Sequence, residues 1–338
     1  MKPFSELLLA LSLLLGAACS GPKTVLLERV DEMQYGDSTR TGVPFSKDPT
    51  VIRLGDRYLM YYSVCDFSPD RAPAQPAPDQ AGWSSAIAES RDLVHWTRVG
   101  DLVLRDSHGE RIWGCVAPCV KVFDGVIHLF YQRRWTPAHG NNNLWHATSE
   151  DGITFTNTHD EPVFIPETSW SIDRSIDAEV FRVGDRMILM YATRDPSQTW
   201  QMLGMAEAPY GCDYGPDKWT NLSVDGPFLK PDFPWEQHCI EAPTVIKHKG
   251  YWYLFYAGAY NHERQQIGLA VSKDGRHFER IAPDGLLLPP GEEGSWNAAE
   301  SGHPGIFRDD DGSVYLFYQG KSSQTAPYRL SVCKVRFK

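Results

Sequence analysis

The stretch Ile240-Glu241-Ala242-Pro243-Thr244-Val245-Ile246 runs through a Lys249-Gly250 turn into the aromatic strand Tyr251-Trp252-Tyr253-Leu254-Phe255-Tyr256. The pattern recurs at Lys47-Asp48-Pro49-Thr50-Val51-Ile52 ahead of Tyr58-Leu59-Met60-Tyr61-Tyr62, and at Ile176-Asp177-Ala178-Glu179-Val180-Phe181 ahead of Met187-Ile188-Leu189-Met190-Tyr191. Two further copies begin at Trp113 and Glu300, followed by Val126–Tyr131 and Val314–Tyr318. Their spacing, roughly sixty to seventy residues, exceeds the common propeller repeats of about 40–50. A second signal falls late in several units: Ser90-Arg91-Asp92 with Trp96, Ser149-Glu150-Asp151-Gly152 with Phe155, and Ser272-Lys273-Asp274-Gly275 with Phe278. Each is read as a turn closed by an aromatic packing anchor.

Every unit thus reads as four strands with short turns at Gly55-Asp56, Asp124-Gly125, Gly184-Asp185, Lys249-Gly250 and Asp311-Gly312. Five such units predict an all-β, five-bladed β-propeller in a single domain, the first strand of each blade nearest the axis. The last unit lacks one strand. Thr24–Val30 has strand character and no other obvious place, so it is expected to complete that blade and close the ring.

With 338 residues, the chain is long enough for one large all-β domain. Its net charge of −10 and lack of a basic run argue against a nucleic-acid partner, which needs clustered Lys and Arg. Leu7–Leu15 is an apolar run ahead of Gly16-Ala17-Ala18-Cys19, the pattern of an exported protein. It resembles a bacterial lipoprotein signal, with residues 1–18 removed, Cys19 lipidated, 19–23 a tether and 24–338 the propeller. Gly16 and Glu6 depart from that pattern, and ordinary signal cleavage is the alternative. The expectation is a monomer on the periplasmic side or at the outer membrane, held to the membrane only by its lipid. Six other cysteines, Cys65, Cys115, Cys119, Cys212, Cys239 and Cys333, are thiols or bridges; sequence does not assign pairs. Cys115 and Cys119 are expected on one face of an inner strand.

Three repeats carry a carboxylate at what reads as the same place: Asp48, Asp177 and Glu241. Gathered at the axis, such a set suits glycosidic bond cleavage, which needs a base to activate water and a protonated acid at the leaving oxygen. Glu241 is the acid candidate, Asp48 the base, and Asp177 the group that orients the acid and holds its pKa up. Glu179 rivals Asp177, because alternate strand residues share a face, and Glu300 is a weaker rival. Arg194-Asp195-Pro196 has the form of a catalytic triplet in fructan hydrolases, but it follows a second strand; Asp195 is read as a decoy and Arg194 as able to reach substrate.

These motifs together resemble glycoside hydrolase family 43 and its five-bladed relatives, over nearly the whole mature chain. Asp48-Pro49 is similar to the family's base motif, Trp113 with Ala117-Pro118 to its Trp-Ala-Pro element, Ile176-Asp177 to the pKa modulator, Glu241-Ala242-Pro243 to the general acid, and Gly302-His303 to the blade-five Gly-His. Ala178 stands where the family has Pro, Ala242 where it has Gly, and extra residues separate Trp113 from Ala117. The resemblance implies an inverting glycosidase on plant or algal polysaccharide or oligosaccharide, of the α-L-arabinofuranosidase or β-xylosidase kind. It implies no required cofactor, with a structural calcium or water cluster near His303 as the one candidate metal site; a buried histidine bonded to backbone is the plainer alternative.

Substrate contacts are expected from Trp113, Arg194, His238, Trp296 and His303, with Trp83, Trp170 and Trp235 as further aromatic candidates that also suit core or rim. The Pro-rich stretch Ser68–Pro78 reads as a loop insertion in blade one. The competing functions are a retaining fructosidase, a glycoside phosphorylase, for which no basic phosphate cradle stands out, and a non-catalytic glycan-binding lipoprotein.

Overall fold

The structure, a computed structural model, describes residues 21–65, 82–134 and 142–338. The signal segment, Cys19 and Ser68–Pro78 lie outside the described residues. Five sheets form the five blades, antiparallel throughout except where Val103–Arg105 pairs parallel with Thr154–Asn157 in blade two. Their innermost strands are Lys47–Leu54, Val116–Phe123, Ile176–Val183, Ile240–His248 and Glu300–Arg308, for blades one to five. The only helical turn among the described residues is the 3-10 turn Pro234–Glu236. Val25–Tyr35 pairs antiparallel with Arg329–Phe337, Val25 opposite Phe337 and Val30 opposite Val332. The first strand of the chain therefore completes the last blade and closes the ring.

The second strand of every blade reads as a continuous apolar run because both of its faces are buried between neighbouring blades. Met60-Tyr61-Tyr62, Leu129-Phe130-Tyr131, Leu189-Met190-Tyr191, Leu254-Phe255-Tyr256 and Leu316-Phe317-Tyr318 are equivalent, and all are buried. Alternation sends the outer two residues of each triplet toward the preceding blade and the middle one toward the next. Thus Leu254 and Tyr256 pack with blade three, and Phe255 packs with blade five. Five apolar clusters fill the five blade interfaces in this way. A buried tyrosine must still satisfy its hydroxyl. Tyr62 donates to Asp37 at 2.9 Å, Tyr131 to Asn157 at 2.9 Å, and Tyr256 to Glu236 at 2.6 Å.

The Ser-x-Asp signals are hairpin loops held by their own side chains. Asp92, Asp151 and Asp274 each accept two backbone N–H groups on one carboxylate oxygen, at 2.7–2.9 Å. One expectation needs correcting. Cys115 packs in the interface of blades one and two, and Cys119 in that of blades two and three. They do not share a face, because the strand is bulged between Val116 and Cys119. Cys115, Cys119, Cys212 and Cys239 are thiols, not bridges.

Candidate active site

All five inner strands break register at the same point, between Lys47/Thr50, Val116/Cys119, Ile176/Glu179, Glu241/Thr244 and Gly302/Gly305. At each bulge one non-glycine residue takes a positive φ: Asp48 (54°), Ala117 (46°), Asp177 (52°), Ala242 (49°) and His303 (39°). Such backbone costs of order 1–3 kcal/mol per residue and is typical of functional sites. Bulges re-aim side chains; here they turn Asp48, Asp177 and His303 toward one mouth of the axis. The strained N–H groups are caught by the second strand of the preceding blade. Ala117 N donates to Ser63 Oγ at 2.9 Å, Asp177 N to Gln132 Oε1 at 3.3 Å, and Asp48 N to Gln319 Oε1 at 3.2 Å.

This register revises the repeat alignment. Glu241 pairs with Ala257 as Lys47 pairs with Ser63 and Ile176 with Ala192. The residue equivalent to Asp48 and Asp177 in blade four is therefore Ala242, and in blade five it is His303. Glu241 enters the cluster from one position earlier, the position of Lys47. Ala242 holds the left-handed backbone that glycine adopts without a Cβ penalty, which is why a glycine suits that position.

His303 sits between Asp48 and Glu241. Its Nδ1 lies 2.8 Å from Asp48 Oδ1, a close ion pair that is not aligned as a hydrogen bond, and its Nε2 lies 2.8 Å from Glu241 Oε1. Burial opposes protonation of this ring, but the two carboxylates outweigh it and raise its pKa well above the ordinary value, so an imidazolium links them. Glu241 also accepts from Gln265 Nε2 at 2.8 Å, Asn261 Nδ2 at 3.2 Å and the Gln201 amide. Gly302 makes room for Gln265, since a Cβ there would lie 1.9 Å from its Oε1.

Burial pushes all three carboxyls up, but their neighbours separate them. Lys47, with Nζ 3.9 Å from Asp48, and His303 hold Asp48 below the usual carboxylate range. His303 and the amide donors likewise hold Glu241 down. Asp177 is raised to about 7 by burial, with the charges of Glu241 and Asp48 adding and His303 opposing, and its Oδ2 is buried without a hydrogen-bond partner. Burial and the charges of Glu241 and Asp48 thus push Asp177 toward its protonated form, while His303 and the amide donors favour the ionised form of Glu241.

A cavity of about 290 Å³ opens over this cluster; its wall includes Lys47, Trp83, Arg174, Arg194, Gln201 and Tyr260. Of the expected substrate contacts, Arg194 and His303 line it. Trp113 does not: it is 52% exposed with the Arg111 guanidinium 4.1 Å from its ring centre. His238 stands at the exposed surface against Trp200, 4.7 Å between centroids. Trp296 is packed on Tyr318 inside the sheet interface. Trp235 and Trp170 anchor backbone instead, donating to Asp284 O and Ser223 O.

Glu179 points down the axis, past the bulge, where it accepts from Lys121 Nζ at 2.9 Å and Val245 N at 3.0 Å. Glu300 lies behind blade five, bonded to Gln319 and 3.4 Å from Lys321. Asp195 spends its carboxylate on its own loop, accepting from the N–H groups of Ser197, Thr199 and Trp200. Lys47, Arg174, Gln201, Asn261 and Gln265 were not foreseen. Gln132 and Gln319 had a signal, since each follows the equivalent tyrosine; Gln201 and Gln265 had none, because each reaches into the cluster from a neighbouring strand or blade.

A calcium held by His303 does not fit these residues. Both ring nitrogens face carboxylates at 2.8 Å, leaving no lone pair for a cation. Asp177, Glu241 and His303 each offer an atom within 4.8 Å of the others. Glu241 is already saturated with donors, however, and calcium takes about six to eight oxygens.

The fold is thus a five-bladed propeller with a cluster of buried carboxyls and a histidine at one axial mouth. The chain belongs to glycosyl hydrolases family 43, whose sequence model matches residues 43–334. It is 22% identical over 281 residues to a xylan 1,3-beta-xylosidase of a Vibrio species, covering 80% of this chain and 47% of that protein. It is 26% identical over 230 residues to an uncharacterized protein of Mycobacterium tuberculosis, covering 68% and 51%. The chain thus spans about half the length of the curated relatives it matches. Among solved structures, a thermostable family-43 glycoside hydrolase superposes with a TM-score of 0.64 at 20% identity, over 90% of this chain and 96% of that one.

Proposed function

We propose that this protein hydrolyses glycosidic bonds with inversion, on plant or algal oligosaccharides or polysaccharides, as an α-L-arabinofuranosidase or β-xylosidase. The observation that carries the stereochemistry is the bridge made by His303. Asp48 and Glu241 lie against opposite nitrogens of one imidazole, each 2.8 Å away, an arrangement that favours the wider carboxylate separation of inverting enzymes, about 6.5–9.5 Å, over the about 5–5.5 Å of retaining ones. This spacing also speaks against the retaining fructosidase reading.

In this reading Asp48, ionised, takes a proton from water as the water oxygen attacks the anomeric carbon. The bond to the leaving oxygen breaks as that oxygen receives a proton from Glu241. Asp177 is the proton store. Sugar hydroxyls that displace donors from Glu241 raise its proton affinity, and the proton then moves to it from Asp177. Afterwards Asp48 gives up its proton to solvent and the carboxyl pair takes one back. Export as a lipoprotein anchored through Cys19 is part of the same proposal and is tested by metabolic labelling with a fatty acid, lost in Cys19→Ala.

The test of function is hydrolysis across aryl glycosides and plant or algal oligosaccharides, with product anomers followed by proton NMR. An inverted first product, with the rate down at least about a hundredfold in Glu241→Gln, is expected. A retained anomer would sink the mechanism, and full activity in Glu241→Gln would sink the assignment of the acid.

A further inference from the structure

Arg174 and Arg194 stand in the cavity wall with one acceptor between them. Arg174 Nη1 donates to Gln201 Oε1 at 3.3 Å, and Arg194 Nε to the same oxygen at 3.0 Å. Among the described residues no other acceptor reaches either guanidinium, and no carboxylate lies within 4.0 Å of them. Each guanidinium has five N–H donors, so most of their capacity faces the cavity. Two like charges on one neutral oxygen repel, and the arrangement lacks an anion. Burial and the charge of Arg194 push the Arg174 pKa down and outweigh Asp177 and Glu241, which lie near enough to raise it but form no ion pair with it. The rest of the cluster cannot supply it. Asp48 pairs with Lys47 and His303 and Glu241 with His303, and Asp177 forms no ion pair with either arginine.

We infer that Arg174 and Arg194 form an oxyanion subsite that selects a glycan carrying a uronic acid carboxylate beside the scissile bond. A planar carboxylate matches the guanidinium fork. Arg194 is further fixed by the Tyr260 ring, 5.2 Å from its guanidinium carbon to the ring centre. The position favours an anion borne by the sugar over free phosphate. Gln201 holds both arginines with its oxygen and donates with its amide nitrogen to Glu241. The subsite is thereby tied to the acid, where the glycosidic oxygen sits. An attacking phosphate would instead have to lie beside Asp48, whose cationic neighbours are Lys47 and His303. This inference deepens the hydrolase reading and rests on it for the location of the scissile bond.

The experiment is isothermal titration of the Asp48→Asn protein, with the arginines intact, against D-galacturonate, D-glucuronate, the matching neutral hexoses and inorganic phosphate at low salt. A uronate should bind at least tenfold more tightly than its neutral counterpart. Adding Arg194→Gln or Arg174→Gln should cut that preference to under threefold, with circular dichroism melts confirming a folded protein, and Arg194→Lys should keep part of it. If Arg174→Gln does not fold, Arg194→Gln, at the rim of the cavity, carries the test alone. Equal binding of uronate and neutral hexose, or a preference that survives Arg194→Gln, overturns the subsite. Phosphate-dependent release of a sugar 1-phosphate from a neutral glycoside by the wild-type protein overturns the sugar-borne source. Binding needs no turnover, so the two readings separate. Neutral glycosides hydrolysed without uronate preference remove the subsite alone, and uronate preference without hydrolysis of any glycoside removes the hydrolase reading alone.

Discussion

Asp177→Asn is expected to stabilise this protein at neutral pH while stopping its chemistry. The side chain is buried and its carboxyl is raised from 3.8 to about 7. A carboxyl raised on folding contributes stability that is whole below pH 3.8 and is lost as pH climbs to 7, because the folded form holds a proton the unfolded chain has released. At 1.36 kcal/mol per unit this loss is at most roughly 4 kcal/mol. Asparagine has the same shape and no charge to bury. Its amide brings one more N–H donor than a protonated carboxyl to the place of Oδ2, which has no partner, and an unsatisfied buried donor costs about 1–3 kcal/mol. The variant should therefore be less stable than wild type near pH 4 and more stable by about 1–3 kcal/mol at pH 7.5, the difference growing through the window from 3.8 to 7. Urea unfolding at half-unit steps from pH 4 to 8 reads this directly. A difference that does not change with pH, or one that falls as pH rises, refutes Asp177 as the protonated group.

His303→Gln removes the cation between two buried carboxylates and should cost about 3–5 kcal/mol. The histidine's share is whole below its ordinary 6.5 and fades as pH rises through its raised value; the share of Asp48 and Glu241 is present above their ordinary 3.8 and 4.5 and fades as pH falls. Urea melts should thus find the greatest loss between those limits, and a loss largest at pH 3 contradicts the bridge. Glu179→Gln breaks the buried pair with Lys121 and should destabilise by about 3–5 kcal/mol, with kcat unchanged at temperatures where the variant is folded; a collapse of kcat without loss of stability would return Glu179 to the chemistry. Asp195→Ala should loosen its loop and change kcat less than tenfold, whereas Asp48→Ala should cost at least about a hundredfold; equal losses would mean that the Arg194-Asp195-Pro196 triplet is catalytic after all.

The sequence made the ring legible because its period is carried by side chains with local meaning. The tyrosine that ends each second-strand triplet, the Ser-x-Asp loops and the Asp-Gly turns each declare themselves within a few residues. The carboxylates were legible as a set, but their alignment was not. Glu241 read as the equivalent of Asp48 because both precede an apolar run; the bulge, visible only through strand register, puts Ala242 in that place and His303 in its blade-five counterpart. The aromatic candidates misled for a related reason. Trp296 and Trp235 fall in loops by sequence, yet both fold back on tyrosines of the second strands.

The chain by itself determined the five-fold strand pattern, the closing role of its first strand and the residues able to do acid–base chemistry, since period, turn chemistry and residue type are written along the backbone. Only the tertiary structure decided which charges meet. Asp48, Asp177, Glu241 and His303 come from four blades, and Gln201 joins Glu241 to two arginines across a blade boundary. Electrostatic interactions act through space over a few ångströms, so the raised proton affinities of Asp177 and His303 and the meeting of Arg174 and Arg194 on one oxygen exist only once the ring is closed.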